Sequence, residues 1–244
     1  MSRETYIFII SPKKAKQNLI KEIETNTNYS ISLRDFIESS NQGEIEFNKS
    51  NYEEIIEKIK TDFSKIRSQE IDVIFYWLRN DYFNSNYNQE QSYLEYEAIF
   101  YNKLKEYGIE LVYEFEQKDK CKIFMYQLDQ FKYLNKLGIY SEDDNWLDYE
   151  ISINQFKEYL NYLLLLLCKI EIEEDGETRV LTNILKELET NVKIQNQVNY
   201  SLTEIKEEED YDYKYCAEPM INALIEIKHK LINYNGKILV VDSQ

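Results

Sequence analysis

Near its N-terminus the chain reads TYIFII over Thr5–Ile10, and this run decides the fold that the sequence predicts. Isoleucine and aromatic side chains favour extended structure. A nearly continuous apolar run leaves a strand without a polar face, so the pattern predicts a short strand buried on both faces. Such strands are typical of parallel sheets that are covered by helices.

Outward from this strand, helical and extended patterns alternate as far as residue 115. Ser11 and Pro12 predict a helix start, because serine caps helices and proline fits the first helical position. Apolar side chains recur at helical spacing over residues 52–66, and Ser50 with Glu53 forms a capping box. The same pattern predicts strands at 71–78 and 109–115, shorter strands at 29–33 and 44–47, and a third helix at 94–104 closed by Gly108.

The alternation of helices and strands predicts an α/β fold. Its N-terminal half would be a mixed, mainly parallel sheet covered by helices. Residues 110–115 and 122–128 flank a short polar connection, which predicts an antiparallel hairpin at the edge of that sheet.

The C-terminal half is predicted to be mostly helical with a terminal strand. Residues 156–167 carry apolar side chains nearly all round a helix, which indicates the centre of a helical layer. Further helices are predicted at 180–188 and 221–232, and the strand at 237–241. Residues 1–128 would form an α/β sheet domain and residues 129–244 a mainly helical acidic region packed on it, as two domains or as one.

The chain is strongly acidic, with 45 acidic and 29 basic residues and a formal net charge of −16. Codon bias in a low-GC genome would raise lysine at least as much as glutamate, so it does not explain the excess. Residues 123–244 carry net −11, against −5 for residues 1–122. This charge opposes binding to nucleic acid or anionic lipid and favours a basic protein partner. A simpler interpretation is that it keeps the protein soluble.

Three acidic runs are the first candidate site. Grouped carboxylates can imitate the phosphates of a nucleic acid or steer a basic protein to its docking site, and tyrosines beside the last run suit an interface core. The alternative is a set of ordinary solvated loops. The predicted partner-binding residues, called here the acidic runs, are Glu142, Asp143, Asp144, Glu171, Glu173, Glu174, Asp175, Glu207, Glu208, Glu209, Asp210, Tyr211, Asp212 and Tyr213.

A second candidate site lies where ligands bind in open α/β sheets, at the carboxyl ends of the strands. A helix start with nearby cations can hold a phosphate. No glycine-rich phosphate loop accompanies it, and ordinary polar residues at strand ends are the alternative interpretation. The residues concerned are Ser11, Lys13, Lys14, Arg79, Asn80 and Asp81.

Little in the sequence indicates catalysis or a metal site. His229 is the only histidine, on a helix with apolar neighbours, and is more typical of a structural residue than of a general base. Cys121, Cys168 and Cys216 lack the spacing of a zinc site or a disulfide framework. The acidic runs lack a calcium-loop pattern. The sequence therefore predicts neither a cofactor nor a metal, and favours a protein that is not an enzyme.

These observations favour an acidic, cytoplasmic inhibitor or immunity-type protein that occupies a basic, nucleic-acid-handling partner. Phage counter-defence and toxin neutralisation are the settings where such binders are expected. The alternative is a nucleotide-sensing or nucleotide-processing α/β domain. A third hypothesis, a structural or assembly protein, predicts a defined homo-oligomer.

Overall fold

The structure, a computed structural model, describes residues 4–26, 29, 31–40, 51–62, 65–66, 70–71, 73–78, 93–133, 137–140, 146–178, 180, 182–207, 213–234 and 237–243. Most of these residues are helical, and the described strands form one five-stranded sheet. The strands are β1 (Glu4–Ile10), β2 (Ile109–Phe115), β3 (Leu137–Tyr140), β4 (Trp146–Ser152) and β5 (Lys237–Ser243).

The sheet has the order β2-β1-β5-β4-β3, and every neighbouring pair is antiparallel. The last strand of the chain, β5, lies at the centre, with the first strand on one side and β4 on the other. At the C-terminal end of β1, Ile10 lies opposite Ile109 of β2 on one side and Lys237 of β5 on the other. Strands that are far apart in sequence therefore meet at the middle of the molecule.

Among the described residues, nine helices that accompany the sheet are labelled α1 to α9. The first, α1, joins Pro12–Lys14, a π-helical segment Ala15–Leu19, and Ile20–Thr25. The others are α2 (Leu33–Ser40), α3 (Tyr52–Thr61), α4 (Tyr93–Glu106), α5 (Lys118–Gln130), α6 (Ile153–Asp175), α7 (Thr182–Glu189), α8 (Val192–Glu207) and α9 (Tyr213–Leu231). Residues 70–71 and 73–78 are also helical.

Helices pack on both faces of the sheet. Along β1, successive side chains point to opposite faces. Ile7 and Ile9 join the core under α5, α6 and α9, whereas Phe8 and Ile10 join a second core with α1 to α4. The first strand is thus buried on both faces, as its sequence predicts.

The predicted mainly parallel sheet is wrong, because the observed sheet is antiparallel throughout its described strands. Burial of a strand on both faces is typical of parallel sheets. Here the same apolar run arises because N-terminal helices cover one face of an antiparallel sheet and C-terminal helices cover the other. The pattern of one strand reports burial and contains no information on the direction of its neighbours.

Two predicted strands are helices. The run at 71–78 is helical at 70–71 and 73–78, where Ile74 and Trp77 are buried and Tyr76 is exposed. The Trp77 indole donates a hydrogen bond to the carbonyl of Ile31 at 2.9 Å. The predicted hairpin strand at 122–128 lies within α5, whose residues Phe124 and Leu128 face the core. A short apolar run fits a buried helix as well as a buried strand.

Other expectations are confirmed with small shifts. α3 begins after Asn51, whose side chain accepts from the Glu53 backbone at 2.9 Å, so the described cap is one residue later than the predicted Ser50. α6 spans the leucine-rich run, and Tyr162 to Cys168 are all buried.

The predicted strand at 29–33 is wrong, because Leu33 begins α2 and residues 29, 31 and 32 are not in a strand. The predicted strand at 44–47 lies outside the described residues.

The hairpin of β3 and β4 and the helix α8 were not predicted. The sheet combines β1 and β2 from residues 1–128 with β3, β4 and β5 from residues 129–244. The division of the chain at 128 stays a prediction.

Candidate functional site

The acidic runs are only partly within the described residues. Residues 142–144 and 208–212 lie outside them, and Glu207 is the last residue of α8. The second run, Glu171 to Asp175, forms the last turn of α6. The structure therefore locates one of the three acidic runs and leaves untested whether they share a face.

The end of α6 concentrates negative charge where a helix does not favour it. Gly176 closes the helix in a left-handed conformation, φ 79°, and its N–H donates to the carbonyl of Ile172 at 2.9 Å. The last turn contains no basic residue, and Glu173, Glu174 and Glu177 are exposed. A helix C-terminus has a partial negative charge, so nearby carboxylates are destabilising and a cation beside them would be favourable.

Two residues of the predicted set are buried. Glu171 is 8% exposed and accepts a hydrogen bond from the Thr178 hydroxyl, so it ties the loop after α6 to the helix. Tyr213 is 4% exposed, and its hydroxyl accepts a hydrogen bond from Nε2 of Gln127 at 2.7 Å. Their positions suit a structural role rather than contact with a partner.

Tyr213 belongs to a buried polar network inside the C-terminal helical layer. Gln127 of α5 also accepts a hydrogen bond from the Tyr162 hydroxyl, and that hydroxyl lies 2.8 Å from Oγ of Ser201 on α8. Burial raises the pKa of Tyr162 well above its usual range, so the hydroxyl stays protonated. The network links α5, α6, α8 and α9 through hydrogen bonds between buried side chains.

The predicted ligand edge is described only at the start of α1. Pro12 occupies the first helical position and Ser11 the N-cap, but the serine side chain forms no capping hydrogen bond. Lys13 and Lys14 are exposed, and residues 79–81 lie outside the described part of the chain. The second half of this candidate site therefore lies outside the described residues, and the site stays a prediction.

Gly108 packs closely on the first turn of α1. It has φ 88°, and a Cβ atom placed on it would lie 2.8 Å from the Ala15 nitrogen and 2.9 Å from the Ser11 carbonyl oxygen. The Ser11 N–H donates to the Gly108 carbonyl at 2.7 Å. The backbone therefore occupies space beside this helix start, which is where a phosphate would approach.

The other chemistry-bearing residues form no cluster in the described part of the chain. His229 is exposed near the end of α9. No group of three histidine, cysteine, aspartate or glutamate residues with metal-binding geometry occurs among the described residues. Within the same ranges, no helix combines the length and apolarity needed to cross a membrane.

A cavity of about 240 Å³ lies between α6, α7, α8 and α9. Its polar wall consists of Asn161, Glu187, Thr190, Asn191 and Lys228, and its apolar wall of Ile184, Leu188 and Ile194. The turn between α7 and α8 forms one side, where Asn191 accepts hydrogen bonds from the backbone of Lys193 and Ile194 and so caps α8. This cap fixes the two helices around the cavity.

Lys228 is the basic residue that lines this cavity. Its ammonium donates a hydrogen bond to Oδ1 of Asn161 on α6. Burial lowers the pKa of Lys228, and the negative charge of Glu187 opposes this shift without cancelling it. Lys228 is therefore a partly desolvated cation in a small polar cavity.

The cavity was not predicted from the sequence, although two features of the sequence are consistent with it. Asn161 interrupts the apolar run of α6 between Leu160 and Tyr162, and Lys228 lies beside the buried Ile227 on the apolar side of α9. Only the packing of four helices shows that the two side chains meet. Comparisons with protein-family models, with curated proteins and with solved structures found no match to this chain.

Proposed function

We propose that this protein is an acidic, cytoplasmic inhibitor of the immunity or counter-defence type, which binds a basic, nucleic-acid-handling protein and blocks its nucleic-acid site. The observation that carries the proposal is the distribution of charge. The C-terminal half has net −11, and one of its acidic runs ends the longest described helix, α6.

The C-terminal end of α6 supports the proposal because it combines exposed carboxylates with the partial negative charge of a helix C-terminus. Each carboxylate beside a helix C-terminus costs roughly 0.3–1 kcal/mol of stability. Glu173 and Glu174 are exposed there, whereas residues 162–168 of the same helix are buried. A lysine- or arginine-rich surface would relieve this repulsion on binding, so the same residues that weaken the free protein would favour the complex.

Ion pairs within the chain occur in both helical layers. In the N-terminal layer Glu54 pairs with Lys58 at 2.7 Å, and in the C-terminal helices Glu189 pairs with Lys169 and Glu226 with Lys230, each at 2.7 Å. Such surface pairs neutralise each other locally. The preference for the C-terminal half therefore rests on its net charge of −11, against −5 for residues 1–122.

The alternative, a nucleotide-sensing or nucleotide-processing domain, gains no support from the described residues. Its best phosphate donor would be the start of α1, where Gly108 already packs. We therefore propose no second function from that edge.

The test uses the full chain as bait in lysate of its native host, captured at low salt and eluted with increasing salt. We expect a basic protein to elute, since contacts between opposite surface charges are screened by salt. The captured protein is then purified, and its activity on DNA or RNA is measured while the chain is added. Inhibition at stoichiometric amounts is the expected result.

A pair of double variants locates the surface. Glu173→Lys with Glu174→Lys reverses the end of α6, whereas Glu38→Lys with Glu57→Lys makes the same charge change at exposed positions of α2 and α3. We expect the first pair to weaken capture and inhibition and the second to leave both nearly unchanged. Equal effects of the two pairs would show that net charge, rather than this surface, governs the interaction.

A further inference from the structure

The cavity between α6, α7, α8 and α9 has opposite charges on its walls. Lys228 projects from α9 and Glu187 from α7, and both line the cavity. No ion pair joins these two described residues, and the hydrogen bond of the Lys228 ammonium goes to Asn161 instead. A cation and an anion thus lie on one small cavity without contacting each other.

This arrangement leaves the half-buried Lys228 without a carboxylate in direct contact with its ammonium. A buried ammonium loses hydration, and that loss is offset only by hydrogen bonds and a nearby anion. The neutral amide oxygen of Asn161 supplies one acceptor, whereas an ammonium has three donors. A carboxylate entering the cavity would supply both the remaining acceptors and the missing charge.

The other walls define what such a carboxylate would be attached to. Glu187 is exposed and can accept from a ligand ammonium. Ile184, Leu188 and Ile194 offer an apolar surface for a short side chain. At about 240 Å³ the cavity is smaller than the roughly 300–1,000 Å³ typical of sites for drug-sized ligands, which suits a small metabolite.

We propose that this cavity binds a free α-amino acid with an apolar side chain, its carboxylate held by Lys228 and its ammonium by Glu187. The Asn161 side chain positions the lysine. The site is separate from the exposed end of α6, so this proposal does not depend on the proposed inhibitor function.

The experiment titrates the full chain with L-leucine, L-isoleucine, L-valine and L-methionine by isothermal titration calorimetry. The best of the four is then compared with its two single-charge analogues; for leucine these are isocaproate, which lacks the ammonium, and isoamylamine, which lacks the carboxylate. We expect saturable binding of at least one amino acid. Each analogue should bind on the order of tenfold more weakly, because it loses one charge-assisted hydrogen bond.

Two variants assign the charges. Lys228→Met keeps the length of the side chain and should weaken amino-acid binding on the order of tenfold or more. Glu187→Gln should weaken the amino acid but leave isocaproate unchanged, a result that a merely structural role would not give. Lys186→Met is the matched control, because Lys186 is exposed on α7 and is not part of the cavity wall; it should bind as wild type does.

Circular dichroism shows whether Lys228→Met is folded, and if it is not, the surface variant Glu187→Gln and the analogues carry the test. Absence of saturable binding for all four amino acids would overturn the proposal. So would binding that is equal in wild type and folded Lys228→Met, or an isocaproate affinity equal to that of leucine. None of these results bears on capture of a basic partner.

Discussion

The hydroxyl of Tyr234 donates a hydrogen bond to Oε2 of Glu110 at 2.6 Å. This contact joins the segment that leads into β5 to the second residue of the edge strand β2, although 124 positions separate them in the chain. Lys105 contacts the other oxygen of the same carboxylate at 2.6 Å. Glu110 therefore ties both halves of the molecule together at one edge of the sheet.

Tyr234→Phe should reduce the free energy of unfolding by about 1 kcal/mol near pH 7, a modest value because both groups are partly solvated. The hydrogen bond to Glu110 raises the pKa of Tyr234 to about 12. A raised pKa in the folded state means that the contribution is complete below pH ~10 and disappears as the pH rises to about 12. Urea unfolding of both proteins across this range measures the difference.

The effect of Tyr234→Phe on the free energy of unfolding should also depend on pH in the acidic range. Burial disfavours the charged form of Glu110, but hydrogen bonds from Lys105 and Tyr234 outweigh it and lower the pKa. The stabilisation is therefore present above the unfolded-state pKa and is lost as the pH falls and the carboxylate is protonated. Tyr215→Phe, at a 76% exposed tyrosine, is the control. A penalty for Tyr234→Phe that did not vary with pH would contradict this account.

Substitution of two glycines should separate conformational strain from steric clash. Gly108 and Gly176 both have positive φ, but a Cβ atom at Gly108 would meet backbone atoms at 2.8 Å and 2.9 Å, whereas nothing lies within 4 Å at Gly176. Gly176→Ala should cost about 1–2 kcal/mol for the left-handed conformation alone. Gly108→Ala should cost clearly more, or prevent folding, and chemical denaturation of the two variants measures the difference. Equal costs would mean that α1 and Gly108 can move apart easily.

The buried hydroxyl of Tyr162 should contribute to stability through its two partners. Tyr162→Phe leaves Gln127 and Ser201 without it, and an unsatisfied buried polar group costs about 1–3 kcal/mol. Because this loss arises inside the C-terminal core, thermal unfolding should begin at a lower temperature. The exposed Tyr215→Phe serves again as the control, and an unchanged midpoint for Tyr162→Phe would show that water or rearrangement replaces the lost contacts.

The three thiols should react in a defined order. Cys121 and Cys168 are buried, and Cys216 is partly exposed. Burial raises the pKa of Cys168 to about 11, so little thiolate is present at neutral pH, and Cys121 donates to the Phe115 carbonyl at 3.0 Å. Ellman's reagent should label one cysteine in the native protein and all three in urea. Cys216→Ser should abolish the native reaction, and rapid labelling of the variant would indicate local opening of the core.

The sequence by itself determined the features that depend on neighbouring residues. The burial of Thr5–Ile10 on both faces, the helical start at Pro12, the all-round burial of α6 and the left-handed Gly108 were predictable, because propensity, periodicity and backbone freedom are local properties. The sequence also determined the acidic excess, and with it the proposed class of partner.

Only the tertiary structure decided the direction of the strands. It also decided that residues 70–71, 73–78 and 118–130 are helical. The side chains of a strand alternate in the same way whether its neighbour is parallel or antiparallel. A short apolar run is compatible with a buried helix as well as with a buried strand. β5 pairs with β1 across more than 200 residues, a contact that no local pattern encodes.

The candidate sites divide in the same way. Acidic residues are visible in a sequence, but whether Tyr213 faces a partner or Gln127 depends on which side of α9 is packed. Lys228, Asn161 and Glu187 come from three helices, and their approach to one cavity depends on how those helices cross. Packing is a non-local property of the whole core, and it alone places a cation and an anion on one small cavity.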